Sequence, residues 1–536
     1  MDTHDIVVVS DMHLGEGRAP SSIRYAPTED FFHDASFARF LEHIKSKYRD
    51  DPSRVLLVLN GDIFDFITVT RIPDDEEAGL RGFKVFAGEH KFGLNPTEAK
   101  SIYKLETIAR GHLVFFRALA VFVAAGHRVE LVRGNHDLEL YFPGVRERLL
   151  ELLASFEGEG GASLDTLRER VGFNQLFYRE EGRIHIEHGH QYDSANSIRY
   201  PLRPIWSRKR WWRKDDEETD EMLDYPLGSI FVKFFYNRVR RLDPYAPRLL
   251  SPQQYMDFIR RYNLFDVWRV FRDHYPYFIA ALGPSTPLGR SDDSEEEDAR
   301  QDKNFKELAK CTGAGELYSK WSMLRIHPES ASKGAVFSKI VEPVIRKTLW
   351  FGGFAFVLLY VWLLLFKLIQ AVPTMAANAL LTSIFAVITL GGAAWTWIHL
   401  QRKLRLRQQK HHRTEVDAAE KVAALSKVPI ILMGHTHLVD HHAFDSGVIY
   451  ANSGTWSTVA NPWNRIMRDA RRLTFLYVAG SKLHLKRWND DALRFDDVPL
   501  FLHSTDDIVE TGSGDLSDLN DEEDQLSQEL SDPAER

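Results

Sequence analysis

VELV at 129–132, then Arg133, then Gly134-Asn135-His136-Asp137: an apolar run stops, and a glycine, an amide, an imidazole and a carboxylate follow in direct succession. A short run rich in branched apolar residues suits a strand buried on both faces, and the polar residues after it would collect at one end of a sheet. Four more runs repeat the arrangement. IVVVS at 6–10 leads into Asp11-Met12-His13, and VLLVL at 55–59 leads into Gly61-Asp62-Ile63-Phe64-Asp65. IHIE at 184–187 leads into His188-Gly189-His190, and PIILM at 429–433 into Gly434-His435-Thr436-His437. Helical patterns lie between several of them, as at 34–48 and 99–124. The alternation predicts an α/β fold with a layered core. Ligands of such sheets bind beyond the carboxyl ends of the strands, which is where these Asp, Asn and His residues fall.

Each short motif alone fits an ordinary polar turn; five of them, each at a strand end, define a chemistry. A catalytic divalent ion needs several carboxylate or imidazole ligands and an open position for water. On an extended chain, residues i and i+2 project to one side, so Asp11 and His13 are expected to grip one ion together. His435 and His437 can do the same or divide between two ions. Asp62 has two oxygens and can bridge cations roughly 3.5–4 Å apart. Asn135 offers a neutral carbonyl oxygen, and the glycines at 61, 134, 189 and 434 allow sharp turns and close approach.

The five motifs together resemble the calcineurin-like metallophosphoesterase superfamily. The resemblance implies an α/β/β/α sandwich of four layers, built on two mixed sheets, and two divalent metal ions. It places Asp11, His13, Asp62 and His437 on one ion and Asp62, Asn135, His188 and His435 on the other. His136 is expected near the leaving oxygen as general acid, with Asp137 orienting its ring. GVIYANSGTW at 447–456 resembles the strand and turn that follow the last motif in many members. The fourth motif leaves His188 and His190 as competing ligands. His185 is expected to be a face residue of its strand, Asp65 to support His13 or Asp11 from behind, and Asp193 to do likewise or simply to shape a turn. Mixed imidazole, carboxylate and amide ligands accept Mn²⁺, the first expectation, or Fe²⁺, Zn²⁺ or Co²⁺.

Roughly 240 residues separate the fourth strand from the fifth, far more than an ordinary crossover needs. The expected organisation is a first catalytic part at 1–191, a mostly helical insertion or cap at 192–345, a membrane hairpin with basic flanks at 346–413, a second catalytic part at 414–503 and an acidic tail at 504–536. The hairpin rests on two uncharged apolar runs, 349–366 and 376–398, each long enough to cross the hydrocarbon layer. Arg346 and Lys347 precede the first run, and Arg402, Lys403, Arg405 and Arg407 follow the second. Both flanks, and the catalytic parts with them, are therefore expected in the cytoplasm. Two crossings also let His188 and His435 meet on the same side. The stretch 199–213, RYPLRPIWSRKRWWR, adds tryptophans and arginines suited to lipid headgroups, and 229–241 and 253–275 are candidate cap helices.

Composition sets outer limits. Hydrophobic residues are 44% and charged residues 27% of 536 residues, which indicates a globular chain. The formal charge of −8 disfavours nucleic acid as a partner. The single cysteine, Cys311, excludes an internal disulfide and a multi-cysteine zinc site. Asp2 and Asp5 at the N-terminus speak against a signal peptide. The expected activity is hydrolysis of a phosphomonoester, phosphodiester or pyrophosphate, with membrane lipids as partners and a lipid-linked or amphiphilic substrate. The His-Gly of the fourth motif and the aromatic insertion resemble the branch containing UDP-diacylglucosamine hydrolases. Those enzymes typically carry Arg at the place of His136 and lack a membrane hairpin. The other readings are a tethered nucleotide or protein phosphatase, and a silent scaffold of the same fold.

Overall fold

The computed structural model describes residues 4–18, 24–206, 221–237, 415–457 and 473–498, with shorter pieces between 303 and 395. Period-2 patterning explains the architecture. In β1 (Asp5–Val9) and β2 (Val55–Asn60), Ile6, Val8, Leu56 and Val58 point to one side, and Val7, Val9, Leu57 and Leu59 to the other. All eight are buried, so both faces of this sheet are covered, as near-continuous apolar strands require. Removing one such side chain from water contributes about 1.5–3 kcal/mol.

β1 and β2 run parallel to each other and to β3 (Arg128–Val132) and β4 (Val171–Asn174). On the other edge β1 pairs antiparallel with β12 (Thr474–Ala479), which continues into β13 (Lys482–Asn489) and β14 (Arg494–Asp497). The second sheet has the order β10 (Val439–Ala443), β11 (Ile449–Ser453), β9 (Ile430–Met433), β6 (Ile184–Glu187), β5 (Phe177–Glu180). Here β9 runs parallel to both β6 and β11, and the two outer pairs are antiparallel. β7 (Ile205–Trp206) and β8 (Met222–Leu223) pair separately as an antiparallel ribbon, and two mixed sheets are thus present, as expected.

Ile6, Val8, Leu56 and Val58 meet Ile184, Ile186, Ile430 and Leu432 in one apolar layer between the sheets. The outer face of the first sheet packs under the helices Asp34–Lys47, Leu113–Ala124 and Pro143–Ala154. Ile431 and Met433 face outward from the second sheet onto Ala419, Val422 and Trp321, which belong to the helices at 415–426 and Gly315–Leu324. The helix carrying Trp321 is tied down by its indole N–H, which donates to Glu187 Oε2 at 3.0 Å.

The pattern read as one helical stretch over 99–124 is two helices, Glu98–Gly111 and Leu113–Ala124, meeting at 93°. The reason lies at the joint. Gly111 and Gly17 touch backbone to backbone, so closely that a Cβ on Gly111 would stand 2.1 Å from Glu16 O. His112 then turns into the interior between Asp34 and Glu29.

The described residues all belong to one unit, Met1–Val498. The expected acidic tail lies outside the described residues, as do 253–275, 207–213 of the stretch 199–213, and much of 349–366 and 376–398. Among the described residues no single helix is long and apolar enough to cross a membrane.

Candidate metal centre

The five strand ends converge. Asp11 follows β1, Asp62 follows β2, Asn135 follows β3, His188 follows β6 and His435 follows β9, and all but His435 are almost fully buried. The backbone braces them together. Asp11 N–H donates to Gly61 O at 3.1 Å, His13 N–H to Asp62 O at 2.9 Å, and Gly434 N–H to His188 O at 3.0 Å.

Asp11 and His13 are not on extended backbone. Asp11, His13, Asp62, His435 and His437 all have φ between 52° and 70°, the left-handed region that L side chains avoid. The i, i+2 argument from a flat strand therefore fails here; tight turns, not a pleat, bring Asp11 and His13 together. Such residues cost about 1–3 kcal/mol each and persist where the surroundings over-determine them. Gly134 supplies clearance: a Cβ there would lie 2.2 Å from Asp62 Oδ1.

Three groups of ligand type result; His13, Asp65 and His136 form one, sharing His13 with the first of the two that follow. In the first, Asp11, His13 and His437 bring ligand atoms within 4.8 Å of one another, with His437 Nε2 3.2 Å from Asp11 Oδ1 and 3.0 Å from His13 Nε2. In the second, Asp62, His188 and His435 do the same, with His188 Nε2 3.2 Å from Asp62 Oδ2. Asp62 Oδ2 is also 3.9 Å from His13 Nε2, so this carboxylate lies between the clusters. Burial alone would raise the Asp62 carboxyl, but His188, His136 and His13 hold it well below the usual carboxylate range. Burial likewise opposes ionisation of Asp11, and His437 and His188 more than offset it.

The donor atoms suit cations. Asn135 Oδ1 is buried without a hydrogen-bond partner, which is costly unless something accepts its lone pairs, and His188 Nε2 faces only the Asp62 carboxylate. His188 is oriented for this by Nδ1, which lies 2.9 Å from Asn60 O, the kind of outer hydrogen bond that fixes a ligating imidazole. His190 is buried beside it, rings 5.4 Å apart, with Nε2 2.8 Å from Gln191 Nε2; the cluster is formed by His188, not His190. His185 packs on Phe177, centroids 4.4 Å apart, as a face residue of β6.

The expected Asp137–His136 pairing is replaced. Asp137 Oδ1 accepts from Gly134 N–H at 2.6 Å and Oδ2 from Ile63 N–H at 3.0 Å. With both oxygens engaged by backbone, Asp137 holds the turn rather than the ring. The ring is held by Asp65 instead, whose Oδ2 lies 3.1 Å from His136 Nδ1 and 3.2 Å from His13 Nδ1. Asp193 serves both expected purposes, accepting from Ala195 N–H and reaching His435 Nε2 at 3.3 Å. Sequence reading missed Asn452, whose amide donates to Gly434 O at 2.5 Å and to Thr436 Oγ1 at 3.1 Å. It also missed Ser10, whose hydroxyl donates to Asp11 Oδ2. The ANSG of 451–454 was the available signal for the first.

A family model described as calcineurin-like phosphoesterase matches residues 4–268, a span that holds the first four motifs; Gly434–His437 closes the site from beyond it. The match supports that superfamily, whose members are metal-dependent hydrolases, some of them inactive. No curated protein and no solved structure matches the chain.

Proposed function

We propose that this protein is a membrane-anchored phosphoesterase using two divalent metal ions, Mn²⁺ in the first instance, to hydrolyse a phosphomonoester, phosphodiester or pyrophosphate. The observation that carries the reading is Asp62, whose Oδ2 is within 3.2 Å of His188 Nε2 and 3.9 Å of His13 Nε2, between two clusters of ligand type. Asp11, His13, Asp62 and His437 would hold one ion, and Asp62, Asn135, His188 and His435 the other. Bound there, the two ions would supply Lewis acidity toward the phosphoryl oxygens and an activated water at neutral pH.

The remaining work falls to the chain. Asp65 lies 3.1 Å from His136 Nδ1, an arrangement in which Nε2 would donate the proton to the departing oxygen. Asp193 and Asn60 set the rings of His435 and His188. Ser10 and the His435 N–H, 3.0 Å from Asp11 Oδ2, keep the Asp11 carboxylate aimed.

Membrane anchoring through 349–366 and 376–398, with the catalytic part cytoplasmic, extends the reading. It is supported by the uncharged composition and basic flanks of these runs. Large apolar side chains described within them, such as Tyr360, Leu363, Leu380 and Ile384, are also exposed, as lipid-facing residues are. A tethered active site favours lipid-linked or amphiphilic substrates. The test is turnover of a panel of lipid-linked and soluble phosphoesters by full-length protein in detergent with defined Mn²⁺. Metal-dependent release of phosphate or of an alcohol is expected. Absence of turnover across the panel, with both ions bound, would leave the silent-scaffold reading in its place.

A further inference from the structure

Two of the ligands assigned to the Asp62, Asn135, His188 and His435 ion lean on one short helix of the inserted segment. That helix, Leu227–Phe231, follows Pro226 and continues as the π-helix Val232–Tyr236. It is fixed at both ends. Tyr225, just before it, donates its hydroxyl to Glu139, in the turn that follows the Asn135 loop. Beyond it, Lys233 Nζ donates to Leu94 O at 2.7 Å and Asn237 Nδ2 to Ile67 O at 2.8 Å. Tyr225, Ser229, Lys233 and Asn237 are all buried, so the segment is packed into the catalytic part.

Ser229 reaches the first ligand. Its hydroxyl donates to Asn135 O at 3.3 Å, which pins the peptide that carries the amide side chain. Gly228 reaches the second ligand through a relay. Its N–H donates to Ala195 O at 2.8 Å, and it lies so close to Asn196 that an added Cβ would stand 2.1 Å from Oδ1. Asn196 Nδ2 in turn donates to Asp193 Oδ2 at 2.6 Å. That same oxygen stands 3.3 Å from His435 Nε2. Swinging Asn196 aside therefore breaks the bond that aims Asp193 at His435. The ligands of the other ion are braced from elsewhere. Asp11 accepts from Ser10, Thr455 and the His435 N–H, and His13 leans on Asp65 and on the Asp62 backbone.

We infer that Gly228 and Ser229 are positioning residues for one metal ion of the two, the ion held by Asp62, Asn135, His188 and His435. The inserted segment thereby sets the affinity of that ion without contributing a ligand to it. A side chain already aimed loses less freedom on binding than one that must be re-aimed. The inference rests on the two-ion reading of the site and adds that occupancy of one ion depends on chain outside the strand-end motifs.

Mn²⁺ titration of chelator-stripped full-length protein in detergent tests it, read by calorimetry and by the electron paramagnetic resonance of the exchange-coupled ion pair. Wild type should take up two ions. In Gly228→Ala and in Asn196→Ala, one ion should bind as in wild type. The other, the one that Asn135→Ala also loses, should bind roughly ten- to a hundredfold more weakly, with the pair signal absent at Mn²⁺ levels that saturate wild type. Ser229→Ala should weaken the same ion by a smaller factor. The double variant Gly228→Ala/Asn196→Ala should be no worse than Asn196→Ala alone, because both act through Asp193. Gly161→Ala, where a Cβ would meet Phe156 O at 2.8 Å in the turn after the helix Pro143–Ala154, is the control for a steric fault outside the site; it should lower Tm and leave both affinities unchanged. Equal weakening of both ions, or two wild-type affinities in folded Gly228→Ala and Asn196→Ala proteins, overturns the inference and leaves the two-ion reading intact. Uptake of one ion or none by wild type overturns that reading, and the inference falls with it.

Discussion

Asp65 Oδ2 lies 3.1 Å from His136 Nδ1, so the proposed general acid is held from the loop after β2 and not by its sequence neighbour. The same oxygen stands 3.2 Å from His13 Nδ1, which joins the metal cluster to the acid through one buried carboxylate. Asp65→Asn keeps the shape but offers an amide that no longer dictates which ring nitrogen carries the proton. The expected result is a kcat lower by ~10–100-fold with little change in KM. A kcat equal to wild type would show that the contact does not position the acid.

His136→Ala removes the acid itself. A fall in kcat of ~10²–10⁴ is expected, with metal content near that of wild type, because His136 belongs to neither the Asp11 nor the Asp62 cluster. The loss should shrink for substrates whose leaving group needs no proton, such as p-nitrophenolate. An equal loss for good and poor leaving groups would assign His136 to another role.

Asp62→Ala separates binding from chemistry. Its carboxylate lies between the clusters, so its removal should leave the purified protein short of at least one ion by elemental analysis, with activity lost in parallel. Retention of two ions would remove Asp62 from the bridging position.

Gly134→Ala probes clearance. The added Cβ would meet Asp62 Oδ1 at 2.2 Å and the Asp62 backbone nitrogen at 2.5 Å, and the backbone atom cannot step aside cheaply. Overpacking of this kind costs about 1–3 kcal/mol, and displacement of Asp62 should weaken metal affinity as well. Gly158→Ala, where a Cβ meets nothing within 4 Å, is the control. Equal metal titrations for the two variants would show that Asp62 tolerates the intrusion.

The ligand residues were legible because each follows an apolar run whose end is visible in sequence; Val9, Leu59, Val132, Ile186 and Met433 mark those ends. The branching of contacts was not. That Asp65 serves two rings depends on His13 and His136 meeting, centroids 4.7 Å apart, from strands with no local link. The left-handed turn at His435 is braced by the Asn452 amide on Gly434 O and by its own N–H donating to Asp11, 424 residues away in the chain. β13, KLHLKRWN, mixes charge and apolar residues because it lies beyond the densely buried centre of the sheet, so its pattern is faint. The helix break at His112 follows from a Gly111–Gly17 contact that no periodicity reports.

His112 gives the last prediction, one of stability against pH. The ring is buried, with Nε2 3.3 Å from Glu29 Oε2 and Nδ1 3.0 Å from Asp34 Oδ1. Burial pushes its pKa down, but Glu29 and Asp34 more than offset this and raise it to about 9 from 6.5. The folded state therefore binds this proton more tightly than the unfolded chain does. Its contribution, up to about 3 kcal/mol, is fully present below pH 6.5 and is lost as pH rises through 9. Glu29 also accepts from the Gly15, Gly17 and Phe31 N–H groups, so deprotonation loosens the loop that follows His13. Thermal unfolding should show Tm falling between pH 6.5 and 9.5 in wild type, and His112→Gln should be less stable at pH 6 with a flatter profile across that window. Parallel profiles for the two proteins would mean that the imidazolium does not hold this corner of the fold.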